Sequence, residues 1–295
     1  MRALGANPSA EILGALGTLS LIQGQLERSI NFFQQALRLA PDSATLNQNL
    51  LAAYHRWGFQ LLKANQFPQA IKCFNRGLVR FPFSEILLYD LAAAHESAGE
   101  YQHALRTYER VLQIRPDYPA AKIGIATTLN NLGAQHARNK AWEQAIACYQ
   151  RALEHDPGCW QAHQNLEATL MQIGWEKNQI EDLEGAIRAY QKLLEMNPQN
   201  AQAYNNLGLI YLKKRDDEKA TAHLETALAL DANYAEAAAN LNYIKKQRVF
   251  ALMKKAFGTV LIVFLGSFFI VKMATRQANN RSAMERGRKS ERRKY

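Results

Sequence analysis

Little in this sequence interrupts a helix. Glycine and proline number only 16 and 8 in 295 residues, which argues against a loop-rich or β-rich fold with a turn every few residues. Cysteine is also sparse. Cys73, Cys148 and Cys159 form an odd set without framework spacing, which excludes a disulfide-stapled domain and reads as reduced thiols. The first 29 residues contain one early charge, Arg2, and Gly, Asn, Pro and Glu interrupt them before any apolar run develops. That is not the pattern of a secretory signal. There is no glycine-rich phosphate loop and no zinc-protease or kinase signature. No catalytic residue, cofactor or metal site is therefore expected.

A basic excess is missing where a nucleic-acid protein would need it. The net charge is +10. Residues 245–295 hold 14 Lys or Arg against Glu285 and Glu291, a balance of +12, so residues 1–244 stand at about −2. The basic tail has no interleaved aromatics on which bases would stack, and no nucleic-acid partner is expected. Hydrophobic residues make up 48% of the chain, enough for a packed core.

What is present is a repeat. Pro41, Pro82, Pro116, Pro157 and Pro198 are spaced by 41, 34, 41 and 41 residues, and Ala232 follows 34 further on. Twelve positions before each stands a small residue: Ser29, Ala70, Ala104, Ala145, Ala186 and Ala220. Eight before stands a large one: Phe33, Phe74, Tyr108, Tyr149, Tyr190 and Leu224. Five before stand Ala36, Gly77, Val111, Ala152, Leu193 and Ala227. Small residues let two helices approach, aromatics fill the space between them, and proline stops a helix because it lacks an N–H. One hairpin cannot bury its own apolar face, so the hairpins must stack.

The first helix of the last repeat reads Tyr204, Leu207, Gly208, Tyr211. With the later Ala–x3–aromatic and Pro positions, this resembles the tetratricopeptide repeat (TPR) family over residues 10–234. The resemblance implies an all-α, right-handed α-solenoid of six hairpins: 10–43, 44–84, 85–118, 119–159, 160–200 and 201–234. A segment 1–9 precedes them and a capping helix 235–255 follows. Three repeats carry seven extra residues, about two helical turns. They are expected between the first-helix Tyr or Leu and the second-helix Ala, as in Tyr54 to Ala70 and Leu170 to Ala186, giving a longer hairpin. Trp57, Trp142 and Trp175 lie in or near these extensions, as packing at the hairpin tips or as an exposed docking ridge.

Residues Ala256–Val271 form an uncharged apolar run bounded by Lys254–Lys255 and Lys272. As a helix of 16 residues it spans about 24 Å, and Lys272 can snorkel while Met273 and Ala274 extend it. A transmembrane helix over 256–274 is expected, with Phe257, Leu261, Phe264, Leu265, Phe268, Phe269 and Ile270 facing lipid. Residues 275–295 are expected to be a disordered basic tail whose Lys and Arg could meet anionic lipid headgroups. The flanks compete for the cytoplasmic side, +5 over 245–255 against +6 in the tail. With no export signal, the repeat array is expected in the cytoplasm, in a topology resembling a tail anchor.

Two candidate chemistries remain. Cys148, His155, Cys159 and His163 are potential metal ligands, but Pro157 breaks the helix between them and ordinary structural roles are expected. Asn49, Asn165, Asn206 and Asn240 each precede a Leu at one repeat position. In the TPR family that position lines the concave groove, where an amide can donate to and accept from an extended peptide. Asp90 and Ala15 stand in the equivalent places of other repeats. The Lys/Arg clamp by which some family members hold a carboxylate terminus is not evident. The expected function is a membrane-tethered scaffold for protein partners. The repeat style looks bacterial and is similar to that of cyanobacterial and plastid TPR proteins that assist photosystem assembly, a resemblance that implies a role in assembling a membrane complex. The alternatives are a non-catalytic regulatory or accessory subunit of an enzyme complex, or nucleic-acid binding through the basic tail.

Overall fold

The computed structural model describes residues 9–291, so most of the N-terminal segment 1–9 lies outside the described residues. Thirteen α-helices and no strand occur among them. The first helices of six hairpins are α1 (Ala10–Ile22), α3 (Ala44–Lys63), α5 (Glu85–Ser97), α7 (Pro119–Arg138), α9 (Trp160–Gln179) and α11 (Ala201–Lys213). The second helices are α2 (Leu26–Leu39), α4 (Phe67–Arg80), α6 (Tyr101–Ile114), α8 (Trp142–His155), α10 (Leu183–Met196) and α12 (Asp217–Leu230). Helix α13 (Ala235–Glu291) ends the described chain. The residues fall into two compact units, Met1–Ile173 and Gly174–Tyr295, with the boundary inside α9.

Local chemistry sets the helix ends. The side chains of Ser9, Ser43 and Ser84 accept from the N–H groups of Ile12, Leu46 and Leu87, capping α1, α3 and α5. Asn200 and Asp216 do the same for α11 and α12. Each cap satisfies one of the N–H groups that a helix start leaves unpaired. All six hairpins turn through one residue with positive φ: Gly24, Asn65, Gly99, Lys140, Glu181 and Arg215. Glycine takes this left-handed conformation without strain, whereas Lys140, Glu181 and Arg215 hold it at a cost of about 1 kcal/mol each.

Inside five of the six hairpins a glycine on the first helix faces a large residue on the second, 16 positions later. The pairs are Gly17 with Phe33, Gly58 with Phe74, Gly133 with Tyr149, Gly174 with Tyr190 and Gly208 with Leu224. A Cβ on Gly58 would lie 2.1 Å from the Phe74 ring, and one on Gly174 2.5 Å from the Tyr190 ring. Phe33, Phe74, Tyr149, Tyr190 and Leu224 are buried, as are Ala70, Ala104, Ala145, Ala186 and Ala220. Ser29 takes that alanine position in the first hairpin and donates to the carbonyl of Gly17 at 2.8 Å, so a hydroxyl at the close crossing is satisfied.

This fixed spacing corrects the placement of the seven extra residues. Every second helix has 14 residues, while α3, α7 and α9 have 20 and α1, α5 and α11 have 13. The whole extension belongs to the first helix, upstream of the glycine, in α3 between Asn49 and Gly58. The expected range from Tyr54 to Ala70 takes in only the end of it, before Gly58. From the glycine onward, the seat against the aromatic and the tight left-handed turn leave no slack.

The C-terminal region also differs from expectation. The expected cap, span and disordered tail are one continuous helix as far as Glu291. Between Thr275 and Glu291 there is no proline and a single glycine, Gly287, amid Arg, Lys, Ala, Met and Glu, which are good helix formers. The start of α13 does cap the second unit. Ala237, Leu241 and Ile244 bury against Ala220, Leu224 and Ala227, with Tyr204, Tyr211 and Tyr234 packed around them. The last tie is Arg248, whose guanidinium donates to the Asp217 carbonyl at 3.1 Å and to Thr221 Oγ1 at 3.3 Å.

Candidate protein-interaction face

Asn49, Asp90, Asn165, Asn206 and Asn240 are each the sixth residue of a first helix. The structure shows what that position meets. In the first unit, Asp90 Oδ2 lies 2.5 Å from His55 Nδ1, and Asn165 Nδ2 donates to Asn130 Oδ1 at 2.8 Å. In the second unit, Asn240 Nδ2 donates to Asn205 Oδ1 at 3.1 Å. Each partner lies 35 residues upstream, three before the first-helix glycine of the preceding repeat. The rule holds across short and long repeats because the path from that small residue, through the second helix, to the next first helix has constant length.

Asn165 and Asn240 therefore give an amide N–H to the neighbouring repeat. Asn206 hydrogen-bonds the buried Tyr190 hydroxyl. Asn49 is half-buried, and the position 35 before it is Gly14, which has no side chain to meet it. Sequence reasoning found the sixth positions and missed His55, Asn130 and Asn205; the signal was a polar residue recurring 35 positions upstream. Asn130 and Asn205 are buried, so these rungs are polar groups within the stack, and their satisfaction matters. Burial pushes the Asp90 carboxyl above its ordinary range, and the hydrogen bond from His55 holds it partly down.

The tryptophans differ in exposure. Trp57 is half-buried beneath the Arg76 guanidinium, 5.7 Å from its ring centroid. Trp142 is half-buried and Trp175 is 52% exposed. A groove of about 310 Å³ in the first unit, between α2, α3 and α4, is lined by Arg38, Arg76 and Arg80 with Gln34, Tyr54 and Leu50. Arg80 donates to Asn47 Oδ1 and to the Pro41 carbonyl, and Gln34 donates to the Tyr54 hydroxyl at 2.8 Å.

All three cysteines are buried. Burial pushes the Cys73 thiol up to about 12 and raises Cys148 as well, so neither offers a thiolate nucleophile near neutral pH. Cys148, His155, Cys159 and His163 do not converge as a ligand cluster among the described residues.

Beyond Arg248, α13 presents apolar side chains to solvent. Phe257, Phe264, Leu265, Phe268, Phe269 and Ile270 are between 57% and 72% exposed. The Leu261 side chain lies outside the described residues. The helix is long and apolar enough to cross a membrane.

Stacked helix hairpins with a small-residue and aromatic register, and no catalytic constellation among the described residues, define an α-helical repeat protein of the binding class. The chain belongs to the tetratricopeptide repeat family. Profiles of that family match residues 10–43, 57–119, 126–159, 176–214 and 201–234. Four of them end at or within a residue or two of a repeat boundary read from the prolines. A curated relative, Superkiller protein 3 of Schizosaccharomyces pombe, is 30% identical over 114 residues, 39% of this chain and 8% of that protein. The matched stretch is thus under a tenth of the relative's length. Similar solved structures include YrrB, titled a TPR protein with an unusual peptide-binding site. It is 18% identical, with 70% of this chain and 95% of that one covered and a TM-score of 0.32. A TPR protein from Parabacteroides merdae is 17% identical, with 83% and 88% covered and a TM-score of 0.33. TPR arrays are typically non-catalytic, and the repeats of this chain indicate a scaffold for protein–protein interaction.

Proposed function

We propose that this protein is a membrane-tethered scaffold whose repeats hold an extended segment of a partner protein near the bilayer. The observation that carries the tether is the change of character within α13. Up to Arg248 the helix is docked on the last hairpin; from Val249 to Met273 its described large apolar side chains are all more than half exposed. Leaving such side chains in water costs about 1.5–3 kcal/mol each. A bilayer removes that cost, and the backbone of a helix already satisfies its own hydrogen bonds there. The Lys and Arg beyond Thr275 would then sit at the headgroups, with the array on the cytoplasmic side.

For the partner, the stack offers the remaining hydrogen-bonding capacity of the Asn rungs. In a paired Asn165–Asn130 rung, one carbonyl and one amide are left over from the mutual bond, the two functions that a peptide backbone needs. A role in assembling a membrane complex fits a tethered array of this kind. The tether is tested by fractionating the full chain with carbonate and high salt. It should stay with the membranes, and Val263→Arg should weaken insertion by about 2.5–3.5 kcal/mol and shift the chain to the soluble fraction. Release of the unaltered chain by salt alone would overturn the tether.

A further inference from the structure

The turn of the third hairpin brings together three side chains with ligand atoms. His95 is in the last turn of α5, Glu100 immediately precedes α6, and His103 is in the first turn of α6. His95 Nδ1 lies 2.6 Å from Glu100 Oε2, and His103 Nδ1 lies 3.9 Å from the same oxygen. The two imidazoles are 5.3 Å apart between centroids. One ligand atom from each residue falls within 4.8 Å of the others. We propose that His95, Glu100 and His103 bind one zinc ion, or a similar late first-row divalent cation, at the tip of the third hairpin.

The frame is rigid where a site needs it to be. The Glu100 N–H donates to the His95 carbonyl at 2.9 Å, and the His103 N–H donates to the Glu100 carbonyl at 2.9 Å. Gly99, at φ 76°, closes the turn between them. Backbone hydrogen bonds thus hold all three Cα positions before any metal arrives. His95 is largely covered, its side chain 14% exposed, whereas Glu100 and His103 are 49% and 56% exposed. One ligand is fixed by packing and two can swing. Ligand atoms around a tetrahedral zinc are about 3.3 Å apart, given bonds of about 2.0–2.1 Å. Reaching that spacing requires only side-chain rotation at the two exposed positions.

The other hairpins show what this corner does without such ligands. The matching positions in the fifth repeat are Lys177, Asp182 and Gly185, where Lys177 pairs with Asp182 at 3.2 Å and Asp182 caps the Gly185 N–H. In the sixth they are Tyr211, Asp216 and Lys219, where Lys219 pairs with Asp216 at 3.4 Å. In these two hairpins the corner is closed by a cap and an ion pair. The third hairpin is the one that fills them with two imidazoles and a carboxylate. Three protein ligands leave a fourth coordination position for water or for a partner's side chain, and bound metal would tie α5 to α6 across the turn. Imidazole ligands favour zinc, copper, nickel or cobalt over magnesium or calcium.

The test uses the full, tag-free chain in detergent after chelator treatment, titrated with ZnCl2 by calorimetry, with Co²⁺ absorption reporting the geometry. One equivalent of zinc should bind, Co²⁺ should give the bands of a tetrahedral site, and Mg²⁺ should give no saturable heat. His103→Ala and Glu100→Gln, both at exposed positions, should each lower zinc affinity at least tenfold with unchanged circular dichroism. Absence of saturable zinc binding, equal binding of Mg²⁺, or undiminished affinity in both variants would overturn the proposal.

Discussion

Replacing Asn165 by alanine separates two roles for the asparagines that lead the first helices. The side chain donates to Asn130 Oδ1 at 2.8 Å, and Asn130 is 8% exposed. Alanine removes the donor and leaves the buried Asn130 carbonyl without its partner. Deleting one side of a buried hydrogen bond costs about 1–3 kcal/mol, while a typical bond contributes only about 0.5–1.5 kcal/mol net. Asn165→Ala should therefore destabilise the stack by about 1–3 kcal/mol. Asn130→Ala/Asn165→Ala should cost less than the sum of the single changes, because no orphaned amide remains, with a coupling energy of about 1–2 kcal/mol. Repeat arrays need not unfold in one step, so amide hydrogen exchange in α7 and α9 is the sharper readout. Protection should fall in both helices for the single variant and recover partly in the double one. Unchanged exchange in Asn165→Ala, together with weakened partner binding, would refute the stapling role and return Asn165 to the groove alone.

Four further outcomes are expected. Burial raises the Asp90 carboxyl above its unfolded value, so its contribution to stability is greatest at low pH and is lost as pH rises through the folded value, where a buried charge must form. Asp90→Asn should remove that component of the slope, measured as unfolding free energy between about pH 3 and pH 6; an unchanged slope would mean that another group is responsible. The buried thiols should resist a disulfide reagent at about pH 8 and react only on unfolding, since Cys73 titrates at about 12; rapid labelling of native protein would contradict this. Arg215 holds φ 59° in its turn, so Arg215→Gly should stabilise the last hairpin by about 0.5–1 kcal/mol, read by thermal melting. Val263→Arg should detach the chain from membranes, as set out above.

Much of the architecture was legible because it is short-range. The recurring proline, the alanine twelve before it and the aromatic eight before it state where second helices end, where they cross their partners and what fills the crossing. The apolar run from Ala256 to Val271 is visible as composition alone. Other features depend on distances that sequence does not display. The seven extra residues are expected between Tyr54 and Ala70, a range that straddles Gly58, because a helical insertion leaves the same apolar stripe wherever it falls. Only the constant 16-residue seat, as between Gly58 and Phe74, shows where the slack lies. The asparagines are expected to face a groove, and the structure adds a pairing of Asn165 with Asn130 and of Asn240 with Asn205. That pairing is set by the rigid path through one second helix and into the next first helix. The residues three and four positions from His95 are Leu91, Ala92, Ala98 and Gly99, none of them a ligand. Glu100 and His103 reach it only because the left-handed residue at Gly99 folds α6 back against α5. Local preferences act through residues three and four apart and are written in the sequence. Contacts across a turn or between stacked repeats depend on where the packed backbone carries each side chain, and the tertiary structure alone decides them.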